Sequence, residues 1–228
     1  MIAALVLLGC AARVATVAPN LASPPPAEPP APAEPAPTEE ELLFTRIAVA
    51  YASGNTPTAL ASLAEFESRF AQSRALGVLA DWRSALERMG KPSPSMASVV
   101  WPAGFSLPST PTLVVFFEPW CGHCKEDVPQ VELLRREYAA RGLSVVGVTT
   151  MSRGATEDDL AAFLAAGEVG FPIGRDDGTT SENFGLAGVP HLAFLHEGTL
   201  LWSGHPSLVT LDLVTAITEG RPLPIAVP

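Results

Sequence analysis

Between Thr38 and Met89 the apolar positions recur at helical spacing. Thr38 followed three residues later by Glu41 forms a capping box and marks a helix start, with Leu42, Leu43, Ile47, Ala50 and Tyr51 as its apolar positions. Ser53-Gly54-Asn55 interrupts the pattern, and Pro57 suits the first turn of a second helix that carries Leu60, Leu63, Ala64, Phe66 and Phe70. A third helix is predicted from Ser73 to Met89, with Leu76, Leu79, Trp82 and Leu86. A single helical pair from Tyr51 to Trp82 lacks the repeated neighbours that would bury its faces in a stack, so no array is expected. The apolar positions are expected to be core, and a partner-docking surface is the alternative.

Lys91-Pro92-Ser93-Pro94-Ser95 breaks this region from the next. Beyond it short apolar runs alternate with helical stretches. The pattern predicts strands at Val99–Trp101, Leu113–Glu118, Leu143–Thr149 and Phe171–Ile173. Helices are predicted at Lys125–Arg141, Glu157–Ala166 and Thr180–Phe184. His191–His196 and Leu200–Ser203 read as an antiparallel hairpin around Glu197-Gly198, followed by a helix over Leu208–Glu219. Parallel βαβ followed by a hairpin and a helix is an α/β plan with a mixed sheet flanked by helices, preceded here by a small all-α segment.

Pro19 to Pro37 is dominated by Pro and Ala and lacks the large apolar residues a core needs, so it is expected to be an extended spacer. Met1 to Ala12 is almost wholly apolar and shorter than the roughly 20 residues needed to span a bilayer. It suits the apolar core of an export signal. Its end, Leu7-Leu8-Gly9-Cys10, resembles a bacterial lipoprotein cleavage site, which implies cutting before Cys10 and lipid on that thiol. No Lys or Arg precedes the apolar run, a departure from the usual basic start. The formal net charge of −10 argues against nucleic acid as a partner. With three cysteines the chain is not a disulfide-stapled scaffold.

The remaining cysteines lie in Trp120-Cys121-Gly122-His123-Cys124-Lys125, between an apolar run and a helical stretch. That places a dithiol on the first turn of a helix, where unpaired N–H groups and a partial positive charge favour a thiolate. Cys121 is therefore expected to titrate below the ordinary value of about 8.5, with His123 adding charge when protonated. A zinc site would need two further ligands at suitable spacing, and His191, His196 and His205 supply no recognisable second half. No serine triad, Walker loop or glycine-rich nucleotide fingerprint is present.

Phe116-Phe117-Glu118-Pro119-Trp120-Cys121-Gly122-His123-Cys124-Lys125, then Pro129 and later Gly188-Val189-Pro190, resemble the thioredoxin fold, in particular the TlpA/ResA-like thiol–disulfide oxidoreductases of bacterial envelopes. The resemblance covers about Met96 to Gly220. It implies that Cys121 is the exposed attacking cysteine and Cys124 the more buried resolving one. Trp120 would shape the docking surface, Pro129 would kink the helix, and Pro190 would be a cis-proline facing the dithiol. The backbone of Val189 would pair with an extended substrate. Ordinary thioredoxins carry a buried Asp where Val115 stands here. ResA-like proteins place an acid where Asp127 stands, so Asp127 is the expected proton acceptor. His191 follows Pro190 where Thr is usual and is expected near the dithiol as a second group tuning its pKa.

The chain so read divides into a signal and lipobox region over 1–18, a linker over 19–37, a helical segment over 38–90, a thioredoxin-like domain over 96–220 and a tail over 221–228. The implied activity is reduction of disulfides in exported proteins, needing no cofactor beyond the redox-active Cys121–Cys124 pair. Its partners would be protein thiols and disulfides, an unidentified redox partner and a membrane reached through a lipid anchor. Its place would be the periplasmic side of a bacterial envelope. Gly122-His123 matches the dipeptide of protein disulfide isomerase, poised near about −180 mV against about −270 mV for thioredoxin. An oxidase or isomerase is thus one alternative. A Cu(I) metallochaperone using Cys121, Cys124 and His191 is another, and a scaffold working through the helical segment a third.

Overall fold

The computed structural model describes residues 36–224; the export-signal stretch, Cys10 and most of the Pro/Ala spacer lie outside them. Three helices open the described chain: α1 (Glu39–Ala52), α2 (Thr56–Arg69) and α3 (Leu76–Leu86). Thr38 and Glu41 form the expected capping box on α1. Asn55 caps α2, with Pro57 in its first turn. α3 is shorter than its pattern, because the Ser73 hydroxyl accepts the Ala75 N–H and holds that stretch as a turn. Among the described residues no helix is long and apolar enough to cross a membrane.

The rest is a five-stranded mixed sheet with helices on both faces. Its elements are β1 (Thr112–Phe116), α4 (Gly122–Tyr138), β2 (Ser144–Thr149), α5 (Glu157–Ala166), β3 (Ile173–Arg175), α6 (Thr179–Phe184), β4 (His191–His196), β5 (Thr199–Gly204) and α7 (Leu211–Thr218). The strand order is β3-β2-β1-β4-β5. β1, β2 and β3 run parallel, whereas β4 pairs antiparallel with both β1 and β5. The β4–β5 turn is Glu197-Gly198, with φ of 48° and 74°. Two positive φ values in a two-residue loop give the twist that hairpins need.

Three expected boundaries shift. The strand expected at Phe171–Ile173 pairs instead from Ile173 to Arg175, while Phe171 is buried in the core. The strand expected at Val99–Trp101 contributes a single bridge, Val100 to Arg175. The last helix starts at Leu211 rather than Leu208, because Pro206–Leu208 forms a 3-10 turn and Thr210 supplies the cap.

Strand alternation sorts the core. Leu113, Val115, Phe117, Leu192, Phe194 and Trp202 share one buried cluster with Cys124 and Val128 of α4, with α5 and α7, and with the three opening helices. Val114, Phe116, Val146, Val148 and Ala193 face the other way, onto Phe184 of α6 and the stretch around Val99. The opening helices dock through Tyr51 and Trp202. Their rings meet edge to face at 5.9 Å. The Trp202 indole N–H donates to the Tyr51 carbonyl at 3.0 Å, and the Tyr51 hydroxyl donates to the Ser203 carbonyl. Gly204 completes the joint: a Cβ there would lie 2.8 Å from both rings.

Residues 90–100 lie against both rims of the sheet. On the β5 side Gly90 N–H donates to Leu200 O, Leu200 N–H to Lys91 O, and Ser93 N–H to Gly198 O. On the β3 side Val100 and Arg175 exchange both backbone bonds, at 2.7 and 3.0 Å.

Candidate active site at the Cys121–Cys124 corner

β1 delivers the chain through Glu118, Pro119 and Trp120 into α4. Cys121 is the N-cap of that helix, in extended conformation with φ −75° and ψ 118°. Its sulfur accepts the Cys124 backbone N–H at 3.2 Å. A sulfur thus stands where a capping oxygen usually does, facing the N–H groups that a helix start leaves unpaired. Cys121 Sγ is also 3.5 Å from the carbonyl oxygen of Val189, and the Val189–Pro190 bond is cis. The corner therefore brings Cys121, Cys124, Val189 and Pro190 together.

Both cysteines are free thiols. Cys121 keeps 5% of its surface and Cys124 none. The ranking follows expectation, but Cys121 is not open, because its sulfur is turned onto the Cys124 amide and the Val189 carbonyl. Burial pushes the Cys124 thiol well above its ordinary range. The hydrogen bond with Cys121 and the charges of Cys121 and Asp127 push the same way, and the Glu118 backbone N–H opposes them.

Asp127 is half-buried beyond Cys124 and lines a cavity of about 260 Å³ with Gln130, Val131, Leu192, Pro206 and Leu211. His123 is exposed on the first turn. Trp120 is exposed, and its indole N–H donates to Ser152 Oγ at 3.1 Å.

His191 is not placed where the sequence reading put it. It stands on β4 opposite Phe116, and the two rings lie 6.5 Å apart on the sheet face away from Cys124. Its Nε2 is 2.7 Å from Ser203 Oγ. Burial pulls its pKa down to about 4, helped by His205 and Arg88, so the imidazole is neutral at pH 7. It brings no positive charge to the dithiol at that pH. Among the described residues no three His, Cys, Asp or Glu side chains gather as a metal site.

The residue that sequence reasoning missed is Glu118. It is buried, at 4% exposure. Its carboxylate accepts the backbone N–H of Thr150 at 2.9 Å and of Ser152 at 3.0 Å, and the Thr150 hydroxyl as well. Its own carbonyl accepts the Cys121 N–H at 3.0 Å. One acid thus fastens the loop after β2 to the turn that presents the dithiol. A charged residue embedded between Phe117 and Pro119 was the available signal, since a lone charge in a buried run needs partners.

Beside the corner, Gly188, Val189 and Pro190 form one wall of a groove of about 290 Å³. Val78, Asp81 and Trp82 of α3 form the other.

Residues 106–200 match the AhpC/TSA family. The match spans less than half of the chain, and over those residues the domain is similar to that family. Thioredoxin-like protein YneN of Bacillus subtilis is 29% identical over 98 residues, which are 43% of this chain and 57% of that protein. The chain thus spans little more than half the length of the curated relative it matches. Among solved structures, a thioredoxin-like superfamily protein overlays with a TM-score of 0.50 at 21% identity, covering 60% of this chain and 99% of the other. The thioredoxin domain of a thiol-disulfide oxidoreductase from Bacteroides vulgatus gives 0.47 at 19% identity, covering 59% and 98%. The mixed sheet, the cis-proline and the dithiol at the start of α4 form the thioredoxin-like core, and the three opening helices precede it.

Proposed function

We propose that the thioredoxin-like domain is a thiol–disulfide oxidoreductase acting on polypeptide disulfides, working in the reducing direction. The observation that carries this reading is Cys121 Sγ at the N-cap of α4, 3.2 Å from the Cys124 amide and 3.5 Å from the Val189 carbonyl. A sulfur so placed has helix-end N–H groups to stabilise a thiolate and a backbone edge beside it on which an extended chain would lie.

The reaction follows from the two sulfurs. The Cys121 thiolate attacks one sulfur of the substrate disulfide, whose S–S bond breaks. One substrate sulfur leaves as a thiolate and takes up a proton, and the other forms a mixed disulfide with Cys121. Cys124 then loses its proton, to Asp127 in our assignment, and attacks Cys121. The second substrate thiolate leaves, and the domain holds a Cys121–Cys124 disulfide. Two electrons have passed to the substrate, and a partner dithiol must return them. The raised pKa of Cys124 suits this order: it stays a thiol until the mixed disulfide forms.

In this proposal Trp120 flanks the docking face, and Val189 and Pro190 supply the backbone edge. Export and lipid attachment at Cys10 belong to the same proposal, supported by the apolar Met1–Ala12 stretch and the Pro/Ala-rich tether. They place the domain on the periplasmic side of an envelope.

A Cys124→Ser variant tests the central step. It should stall as a covalent adduct with substrate polypeptides that thiol reductants release. Recovery of no adduct with Cys121 intact would overturn the exchange reading. Equilibration with glutathione buffers tests direction: a potential near that of protein disulfide isomerase would reverse the assigned flow.

A further inference from the structure

Arg153 is an exposed cation held at a fixed place on the dithiol face. Its guanidinium lies 3.7 Å over the ring of Trp120, the residue next to Cys121. The loop that presents it is tied down from two sides. Glu118 accepts the N–H groups of Thr150 and Ser152 from beneath. The Trp120 indole donates to Ser152 Oγ from above. Met151 and Arg153 both take positive φ, 53° and 56°. Side-chain-bearing residues adopt that conformation at a cost and keep it where surroundings hold it. Among the described residues Arg153 pairs with no carboxylate. Nearby Glu157 is engaged by Arg175 and Asp159 by the α5 cap on Thr156, leaving Asp158 as the exposed acid of that turn. Lys125 and His123 are exposed on the first turn of α4. On the other side of Cys124 stand Glu126 and Asp127, with Asp127 opening into its own cavity. The acids on this side are the buried Glu118, whose carboxylate is taken up by the loop N–H groups, and Asp159, which lines a cavity with Lys125. Arg153 is the cation stacked on the residue next to Cys121.

We propose that Arg153 is a specificity-determining residue, selecting disulfides flanked by carboxylate groups. The inference rests on the exchange reading of Cys121. Trp120 is the residue next to Cys121, so in this proposal a substrate disulfide at Cys121 lies beside the Trp120 face. An acidic side chain beside the substrate cysteine would then lie within reach of the guanidinium, whereas a basic one would be repelled. The stack on Trp120 limits the freedom of Arg153, so its charge acts from one place.

The test uses the full chain, pre-reduced and freed of reductant, with three small disulfides of different charge. Oxidised glutathione is anionic, hydroxyethyl disulfide neutral and cystamine cationic. Rates are followed for the native chain and for Arg153→Gln, Arg153→Glu and Arg153→Lys. Arg153→Gln should slow oxidised glutathione about threefold to tenfold relative to hydroxyethyl disulfide, and speed cystamine, with the difference shrinking in high salt. Arg153→Glu should extend the change and Arg153→Lys should largely retain the native order. If all three disulfides change by one common factor, or none changes, the proposal is overturned and Arg153 is only a prop for Trp120. If the native chain reduces none of the three, it is the exchange reading that has failed.

Discussion

In the opening helices the buried surface is almost wholly apolar. Leu43, Ile47, Leu63, Phe66 and Leu79 meet one another, and Tyr51 and Trp82 stack towards Trp202 of the sheet. Charge stays outside, in pairs such as Arg46–Glu65 and Arg83–Glu67. The dithiol corner is built differently. Its sulfurs are positioned by backbone groups, the Cys124 N–H, the Val189 carbonyl and the Glu118 backbone, and the Glu118 carboxylate is buried to fix a loop. Apolar packing tolerates small shifts, because it has no preferred direction. Hydrogen bonds do not, so a corner made of them can hold reacting atoms in register. Substitutions in the helices should therefore cost stability and leave exchange intact. Substitutions at the corner should cost exchange more than stability.

The severest challenge to that contrast is Trp202→Ala, which opens a void where the helices meet the sheet. It should lower unfolding free energy by about 3–5 kcal/mol in a denaturant titration. The rate of oxidised glutathione reduction per folded molecule should stay within about twofold. A rate that falls in step with stability would show the two regions to be coupled.

Acid separates the buried polar groups from the apolar helices. The folded pKa of His191, about 4, lies below its ordinary value of 6.5, so the unfolded chain binds the proton first. Its contribution is present above pH 6.5 and is lost as pH falls through 4, about 3 kcal/mol in all. Glu132, buried and bonded by Arg135, Arg136 and the Gly170 N–H, has its pKa lowered from 4.5 to about 2, so its contribution is lost in the next window down. Chemical denaturation across pH 7 to 4 should show the first loss, and His191→Gln should flatten it.

Glu118→Ala should cost about 1–3 kcal/mol, because two backbone N–H groups lose their acceptor. Unlike Trp202→Ala it should also change Trp120 fluorescence and slow reduction of protein disulfides by more than the stability loss explains. A variant with unchanged fluorescence and rate would mean the loop does not need this acid. The smallest effect is expected for Arg46→Gln on the exposed face of the helices: within about 0.5 kcal/mol by thermal melting, with no change in rate.

How far each region could be read beforehand follows the same division. Periodicity and caps are local, so the start of α1 at Thr38–Glu41, α5 from Glu157 to Ala166 and the hairpin around Glu197-Gly198 were all legible. Strand pairing is not local. β3 forms at Ile173–Arg175 because Gly147 and Gly174 leave room for Ile173 and for Val99 and Trp101. No window centred on Phe171 shows that. At the site, the spacing of Cys121 and Cys124 was plain, whereas the bonds of Glu118 reach Thr150 and Ser152, more than thirty positions on. The misplacement of His191 was avoidable. Leu192 and Phe194 belong to the cluster that contains Cys124, so alternation along β4 turns His191 to the other face.

The stretch 90–100 that lies along both rims of the sheet has a further consequence. An open sheet edge is a template on which any extended polypeptide can stack. A protein whose proposed clients arrive unfolded meets such chains at every turnover. Gly90–Ser93 take up backbone groups at Gly198 and Leu200 on the β5 side, and Val100 takes up those of Arg175 on the β3 side, so a client cannot pair at those positions. That narrows the open backbone on which a client chain could lengthen the sheet, and with it the chance of nucleating an aggregate.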